Sequence, residues 1–300
     1  MNYPKISIVT PSFNQDEFLE QTIQSVVSQN YPNLEYIVID GGSSDNSPAI
    51  IEKYSDKLSY WVSEPDGGHG NGLNKGFSQS TGEIMGWINS DDMLTAWSLR
   101  TIAEIFTKFP HVNWIHGTNS WWNRQGQMIN ASETRKNIYD YLTGNYAWIQ
   151  QESVFWRRSL WDKAGSIITT DLEFMVDGEL WSRFFLIDEL YTVNCVLSGY
   201  RTYGDNRAGK NYSTCISEMQ DLVMKLESKC DPKVLRNAKS LRRIIKAAQL
   251  LPIRKTIGAS YAQRIVGRTV GRKLFNETGY KTISWDTATN DWVENRRPFR

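Results

Sequence analysis

Apolar positions in the first ninety residues follow two alternating patterns. Mostly apolar segments at 6–10, 34–39, 59–63 and 84–88 predict strands, the first of them buried. Between the first two, Phe18, Leu19, Thr22, Ile23, Val26 and Val27 recur at helical spacing and form one apolar stripe. Asn14 stands in N-cap position before that stripe, with Glu17 three residues on as in a capping box. Tyr31-Pro32-Asn33 ends the helix, and Ser47-Pro48 opens the next with a cap residue and proline at the first turn. Strand-helix alternation of this kind predicts an α/β fold whose mostly parallel sheet is covered on both faces.

Beyond Asp92 the rhythm changes. A helix is expected over 96–108, a strand over 112–116, and a hairpin over 121–129 turning at 124–127. A strand over 153–157, a helix over 177–186, a long strand over 191–202 and a helix over 213–226 follow. A basic stretch begins at Lys233, and a polar tail carries Trp285 and Trp292. These segments divide the chain into a main domain at 1–231 and a basic helical extension and tail at 232–300.

Two of the predicted strands end on acid. The run at 84–88 stops at Asn89-Ser90-Asp91-Asp92, and the run at 36–39 stops at Asp40-Gly41-Gly42. In an open α/β sheet, ligands bind beyond the carboxyl ends of the strands. Adjacent carboxylates there repel each other unless a cation or a hydroxylated guest absorbs the charge. A hard divalent ion shared between carboxylates and substrate phosphates suits that chemistry, which points to Mg²⁺ or Mn²⁺. The blander alternative makes Asp92 the cap of the following helix.

Composition adds three constraints. A hydrophobic fraction of 40% over 300 residues supports a sizeable core. Twelve Trp and fourteen Tyr form an aromatic surplus that suits either a bulky core or sugar and base sites. The net charge of +1 conceals asymmetry: residues 232–276 carry twelve Lys or Arg and no Asp or Glu, so the remainder is acidic. Cys195, Cys215 and Cys230 show no metal-ligand spacing and suit free thiols in a reducing compartment. The N-terminus runs straight into a strand without a signal peptide, and no apolar stretch is long enough to span a membrane. A cytoplasmic location is expected.

The segment at 64–76 contains five glycines, which let backbone approach a ligand closely. Residues 64–72 are expected as a loop, with His69 a surface imidazole. The spacing matches neither a dinucleotide fingerprint nor a Walker loop.

Five pieces then appear in order: Thr10-Pro11-Ser-Phe-Asn14, Asp40-Gly-Gly-Ser-Ser-Asp45, Pro65-Asp66-Gly-Gly, Leu73-Asn74-Lys75-Gly76 and Trp87-Ile-Asn-Ser-Asp91-Asp92. Together they resemble the family 2 inverting glycosyltransferases, across roughly the first two-thirds of the chain. The resemblance implies a GT-A-like fold: a single mixed, mostly parallel sheet flanked by helices, here with the basic helical C-terminal extension. It implies that Thr10, Pro11, Asp40 and Asp66 surround the donor nucleoside, with Asn74 and Lys75 near the donor. Asp91 lies by the ribose or sugar, and Asp92 ligates the metal. A segment at 176–183 resembles the one in which an acidic residue opens a helix as catalytic base, which selects Asp177 with Glu179 as rival. Trp148, Gln151, Glu152 and Glu179 are acceptor-side candidates. Members often carry a His after the last strand; here Tyr203 stands about there, leaving the diphosphate to water and metal or to Arg201 or Arg207.

The implied reaction moves one sugar from a nucleotide diphosphate donor, UDP-linked, to a saccharide or lipid-linked saccharide in surface polysaccharide synthesis. A sugar-phosphate nucleotidyltransferase is the first rival, but residues 10–16 lack the basic residue a triphosphate loop needs. A non-catalytic nucleotide-sugar-binding protein is the second. In the basic stretch, Leu235, Leu241, Ile244, Ile245, Ala248 and Leu251 interleave with cations. Segment 233–273 is therefore a candidate for peripheral contact with anionic membrane, against the alternative of packing on the acidic body. No nucleic-acid recognition module is present, so no nucleic-acid partner is expected.

Overall fold

The predicted strands of the first ninety residues are β1 (Ile6–Ser12), β2 (Leu34–Asp40), β3 (Tyr60–Ser63) and β4 (Ile84–Trp87). The structure is a computed structural model that describes residues 3–146, 149–204, 206–250 and 272–299. Helices α1 (Asp16–Val27), α2 (Ser47–Lys53) and α3 (His69–Gln79) join these strands. Then come β5 (Met93–Leu94), α4 (Ser98–Lys108), β6 (Trp114–His116), β7 (Asn119–Trp122), β8 (Met128–Ser132) and α5 (Ile138–Leu142). They are followed by β9 (Val154–Arg157), α6 (Arg158–Lys163), α7 (Val176–Phe185), β10 (Tyr191–Val193) and β11 (Ser198–Arg201). Helices α8 (Arg207–Lys210), α9 (Tyr212–Lys229), α10 (Pro232–Leu250) and α11 (Arg272–Glu277) lead to β12 (Tyr280–Asp286) and β13 (Asp291–Arg297).

The main sheet has nine strands in the order β13-β12-β10-β6-β9-β4-β1-β2-β3. β1 pairs in parallel with both β2 and β4, and β2 with β3. The chain thus winds outward from β1 to β3 and then returns to the other side of β1. That reversal opens a crevice between the carboxyl ends of β1 and β4, the place where open α/β sheets bind ligands. β9 runs antiparallel to β4 and β6, which makes the sheet mixed. A second sheet of four strands, β5-β11-β7-β8, stands beside it and walls the crevice.

Both faces of the sheet are covered, which is why its central strands read as mostly apolar segments. Ile37 and Ile39 of β2 enter one core with Val9, Leu73 and Phe77, while Tyr36 and Val38 enter the opposite core with Ile6 and Ile8. The first core holds much of the aromatic surplus. Trp87, Trp114, Trp156 and Trp181 are almost wholly buried. Trp181 stacks on Trp87 at 5.6 Å between centroids and on Trp114 at 5.9 Å. Burying each large apolar side chain stabilises by about 1.5–3 kcal/mol, and these ring geometries add to it.

Several expectations are corrected. Asn14 does not cap α1: its backbone is left-handed (φ 51), and its Oδ1 accepts from Ser44 N. Gln15 is the residue at the cap, without a side-chain bond. Asn46 likewise takes the cap place expected of Ser47. The loop at 64–72 ends early, because Gly68 at φ 124 turns the chain into α3 at His69. The long strand at 191–202 is two strands in different sheets. Between them, Cys195 O and Leu197 O accept from Thr118 N and Thr95 N, so the chain leaves the main ladder. Asp92 caps no helix, since β5 intervenes before α4.

The polar tail is a hairpin: β12 pairs in parallel with β10, extending the main sheet, and β13 closes its edge. The apolar stripe of α10 is turned into protein. Ala238 and Leu241 are buried, and Val234, Leu235, Ile244 and Ile245 pack half-buried on the body. The membrane contact expected for 233–273 therefore lacks an apolar face over 232–247. Residues 251–271, with Leu251, lie outside the described residues. Among the described residues, no helix is long and apolar enough to cross a membrane. Among the described residues, Cys195, Cys215 and Cys230 form no disulfide.

Candidate active site

The crevice between β1 and β4 opens into a cleft of about 790 Å³. Pro11, Ser12 and Phe13 enter from the end of β1, and Asn89, Ser90 and Asp91 from the end of β4. Gly41, Gly42, Pro65 and Asp66 form its opposite side, and Gly67, Gly68 and His69 bring the N-terminus of α3 to it. A helix N-terminus favours anions. Gly72 leaves the space the Asp66 carboxylate needs: a Cβ there would meet Asp66 Oδ2 at 2.6 Å. Asp66 Oδ1 in turn accepts from Gly68 N at 2.8 Å, fixing the turn into α3.

A second cavity, of about 510 Å³, adjoins the first and shares His69, Asn89, Phe174 and Tyr200 with it. Its walls are largely aromatic and amide-bearing, with Trp87, Trp121, Tyr212, Gln150 and Gln151 among them. Two carboxyl groups face it, Glu152 and Asp177. Gln151 is held in place by donating from Nε2 to Trp87 O at 2.6 Å.

Asp91, Asp92, Glu152 and Asp177 are held above the ordinary carboxylate range, chiefly by burial, although the Arg201 charge counteracts it at Asp91 and Asp92. Burial raises Asp177 to about 6, against a counteracting hydrogen bond from Gly178 N. Burial raises Glu152 to about 8, with repulsion from Asp91 and Asp177 adding to it. Asp91 is raised by burial although Tyr203 donates to it. Asp92 is raised well above the carboxylate range by burial and by the Asp91 and Glu152 charges. Among the described residues lining the larger cleft there is no Lys or Arg. A divalent cation suits such a cleft, since it relieves carboxylate repulsion and receives phosphate oxygens. Among the described residues no three His, Cys, Asp or Glu converge on one point. The chain therefore fits an ion held at Asp91 with the remaining ligands from substrate and water, not a protein cage.

Asp177 sits in the first turn of α7. The turn before it is fastened from α9: Glu218 accepts from Glu173 N, Phe174 N and Met175 N at 3.0, 3.1 and 2.8 Å. Gly178 lets the two helices approach, because a Cβ there would lie 2.7 Å from Met219 Sδ. Glu179 is directed elsewhere and is paired with Arg183 at 2.7 Å, outside both cavities.

Other expected site residues are also set apart from the cavities. Thr10 is buried, its hydroxyl bonded to Tyr36 Oη at 3.0 Å. Asp40 is fully buried and accepts from Ser43 N, Ser43 Oγ and Ser63 Oγ, so it organises the β2 turn rather than facing a base. Asn74 makes two hydrogen bonds to the backbone of Ile168 and anchors that loop. Lys75 pairs with Glu64. Asp92, expected as the metal ligand, is 1% exposed and absent from both linings; its Oδ1 accepts from Arg201 N at 2.8 Å. The adjacent Asp91 takes the position facing the cleft. Trp148 lies outside the described residues.

Tyr203 and Arg201 resolve the question of the missing His. Tyr203 Oη donates to Asp91 Oδ2 at 2.8 Å and lines the cleft. Arg201 is buried, and each of its guanidinium nitrogens donates a hydrogen bond, to Asp91 O, Arg124 O and Gln21 Oε1. It braces the carboxylate loop and does not line the larger cleft. Tyr200, Glu173 and Phe174 were not foreseen. The strand period of two carries the signal for Tyr200, since it turns Tyr200 outward where Arg201 turns inward. Nothing local marks Glu218.

Fold and paired cavities define a GT-A-type α/β protein. Residues 7–149 match the model of the family described as glycosyl transferase family 2, so the chain carries a glycosyltransferase domain of that family. A similar relative is an uncharacterized glycosyltransferase of Mycobacterium tuberculosis, 29% identical over 210 residues, covering 67% of this chain and 76% of the relative. Another is a GalNAc(5)-diNAcBac-PP-undecaprenol beta-1,3-glucosyltransferase of Campylobacter jejuni, 33% identical over 106 residues and 34% of each chain. Among solved structures, S. aureus TarS in complex with UDP-GlcNAc aligns over 99% of both chains at TM-score 0.58 and 14% identity. A mannosyltransferase from Pyrobaculum calidifontis with GDP-Man and Mn²⁺ covers 91% of this chain and 88% of that one, at TM-score 0.53 and 17% identity.

Proposed function

We propose that this protein transfers a single sugar, with inversion, from a UDP-linked donor to a saccharide or lipid-linked saccharide acceptor in surface polysaccharide synthesis. The observation that carries this reading is the pair of adjoining cavities with carboxylates on opposite sides of their junction. Asp91 belongs to the larger cleft and Asp177 to the smaller, and His69, Asn89, Phe174 and Tyr200 lie between. The larger cleft takes the nucleotide diphosphate and the smaller one the acceptor. Asp177 removes the proton of the acceptor hydroxyl as that oxygen attacks the anomeric carbon. Binding both partners across one junction removes most of the entropic cost of bringing them together. Asp91, steadied by Tyr203, holds the divalent ion. When bound, that ion supplies Lewis-acid stabilisation of the departing diphosphate. Glu152, protonated at neutral pH, donates a hydrogen bond to an acceptor hydroxyl beside Gln151. Complexes of the fold neighbours with UDP-GlcNAc, and with GDP-Man and Mn²⁺, support the donor class. The undecaprenol-linked substrate in the Campylobacter relative's name supports the acceptor class.

A thermal-shift panel of UDP-, GDP-, TDP- and CMP-sugars with and without Mn²⁺ tests the reading. At ten times its Kd a matching donor stabilises by about 1.4 kcal/mol, which raises Tm by roughly 2–3 °C. Mn²⁺-dependent stabilisation by a UDP-sugar is expected. Stabilisation by no nucleotide sugar rules the reading out, and a shift with nucleoside triphosphates alone favours the nucleotidyltransferase.

Any membrane contact is proposed as purely electrostatic, since the apolar stripe of α10 is already covered. Lys233, Arg236, Lys239, Arg243 and Lys246 are exposed along that helix. Each contributes roughly 1 kcal/mol near an anionic leaflet. Sedimentation with phosphatidylserine vesicles should show binding at low salt that disappears at high salt; failure to sediment at low salt removes the proposal.

A further inference from the structure

A third cleft, of about 440 Å³, lies between α4 and the β12–β13 hairpin and shares no lining residue with either cavity of the active site. Its floor is a cross-strand pair, Trp285 opposite Trp292, with ring centroids 5.4 Å apart and planes at 83°. Trp292 is half-buried, packed against the core, and its indole N–H points to Glu104 Oε2 at 3.4 Å. Trp285 is 46% exposed and presents an open ring. A large apolar ring left this exposed marks a candidate contact surface.

The charges around the rings cancel. Arg100 and Lys108 face Glu104 and Asp291, and Lys108 is paired with Asp291. A charged ligand finds no net field here. A neutral guest with many hydroxyl groups finds both donors and acceptors beside a flat apolar surface. The C–H face of a pyranose meets those demands, packing on indole while its rim hydroxyls reach guanidinium and carboxylate.

We propose that this cleft is a binding site for neutral oligosaccharide, separate from the active site. It goes beyond the transferase reading, because it assigns the far edge of the sheet a ligand of its own. The binding unit is the Trp285 ring, with Glu104 and Arg100 as polar contacts.

Calorimetry and intrinsic fluorescence on the full chain, with tetrasaccharides of glucose, galactose, mannose and N-acetylglucosamine as probes and no donor, test the site. Saturable binding of at least one is expected. Trp285→Ala should weaken it about tenfold, the scale of one lost aromatic contact, while Trp285→Phe should retain most of it. Asp177→Asn should bind as the natural chain does. Donor-induced thermal shift should be the same in all three variants, which separates failure here from failure of the transferase reading. Binding to none of the tetrasaccharides overturns the proposal. So does binding unchanged in Trp285→Ala, or binding lost in Asp177→Asn, which would place the sugar in the acceptor cavity.

Discussion

Asp177→Asn is expected to lower turnover by about 10²–10⁴-fold while leaving donor affinity almost unchanged. General-base catalysis contributes on this scale, equivalent to about 3–5 kcal/mol of transition-state stabilisation. The amide keeps the shape of the first turn of α7, and the side chain lines the smaller cavity, proposed for the acceptor, and not the larger cleft. The loss should therefore appear in kcat and not in the donor KM. The pH profile carries the second half of this result. Only the ionised carboxyl accepts a proton, and burial has raised it to about 6. Activity should fall about tenfold per unit below that pH and level off above it. Glu152 sets a contrast, because it holds its proton up to about 8. Unaltered turnover in Asp177→Asn, or an acid limb with no break near 6, would remove Asp177 from the reaction.

Asp91→Asn should abolish Mn²⁺-dependent stabilisation by the donor and lower kcat/KM by about 10²–10³-fold, the effect of losing charge stabilisation at a departing group. Asp92→Asn should do far less. Asp92 is buried away from the cleft, and the amide oxygen can still accept the Arg201 N–H that its Oδ1 accepts now. The two neighbours thus differ by orientation alone: one is turned to the cavity and braced by Tyr203, the other to the interior. Measured together with metal titration, the pair gives an unambiguous order. Equal losses in both variants, or a larger loss in Asp92→Asn, would return the metal to Asp92.

Much of the main sheet was visible in the sequence because burial on both faces forces mostly apolar segments, as in β1, β2 and β4. The acid-bearing ends of β2 and β4 likewise marked the crevice. The sequence could not show which acidic residue points into it. Asp40 accepts from Ser43 and Ser63, and Asp92 accepts from Arg201 N through Oδ1 while its buried Oδ2 has no hydrogen-bond partner, an arrangement fixed only when the chain is folded. The β12–β13 hairpin was missed for a related reason. β13 is an edge strand rich in charge and β12 carries few apolar residues, so periodicity there resembles a polar tail. The stripe of α10 was read correctly as amphipathic, but amphipathicity alone does not name the surface it covers.

The three backbone amides gathered by Glu218 place the aim of Asp177 under the control of a side chain that touches neither substrate cavity. On the proposed reading, tuning of Asp177 is thereby delegated to the outer helix layer. A search for activity-altering variants confined to the cavity walls would overlook Glu218, which holds the turn before Asp177.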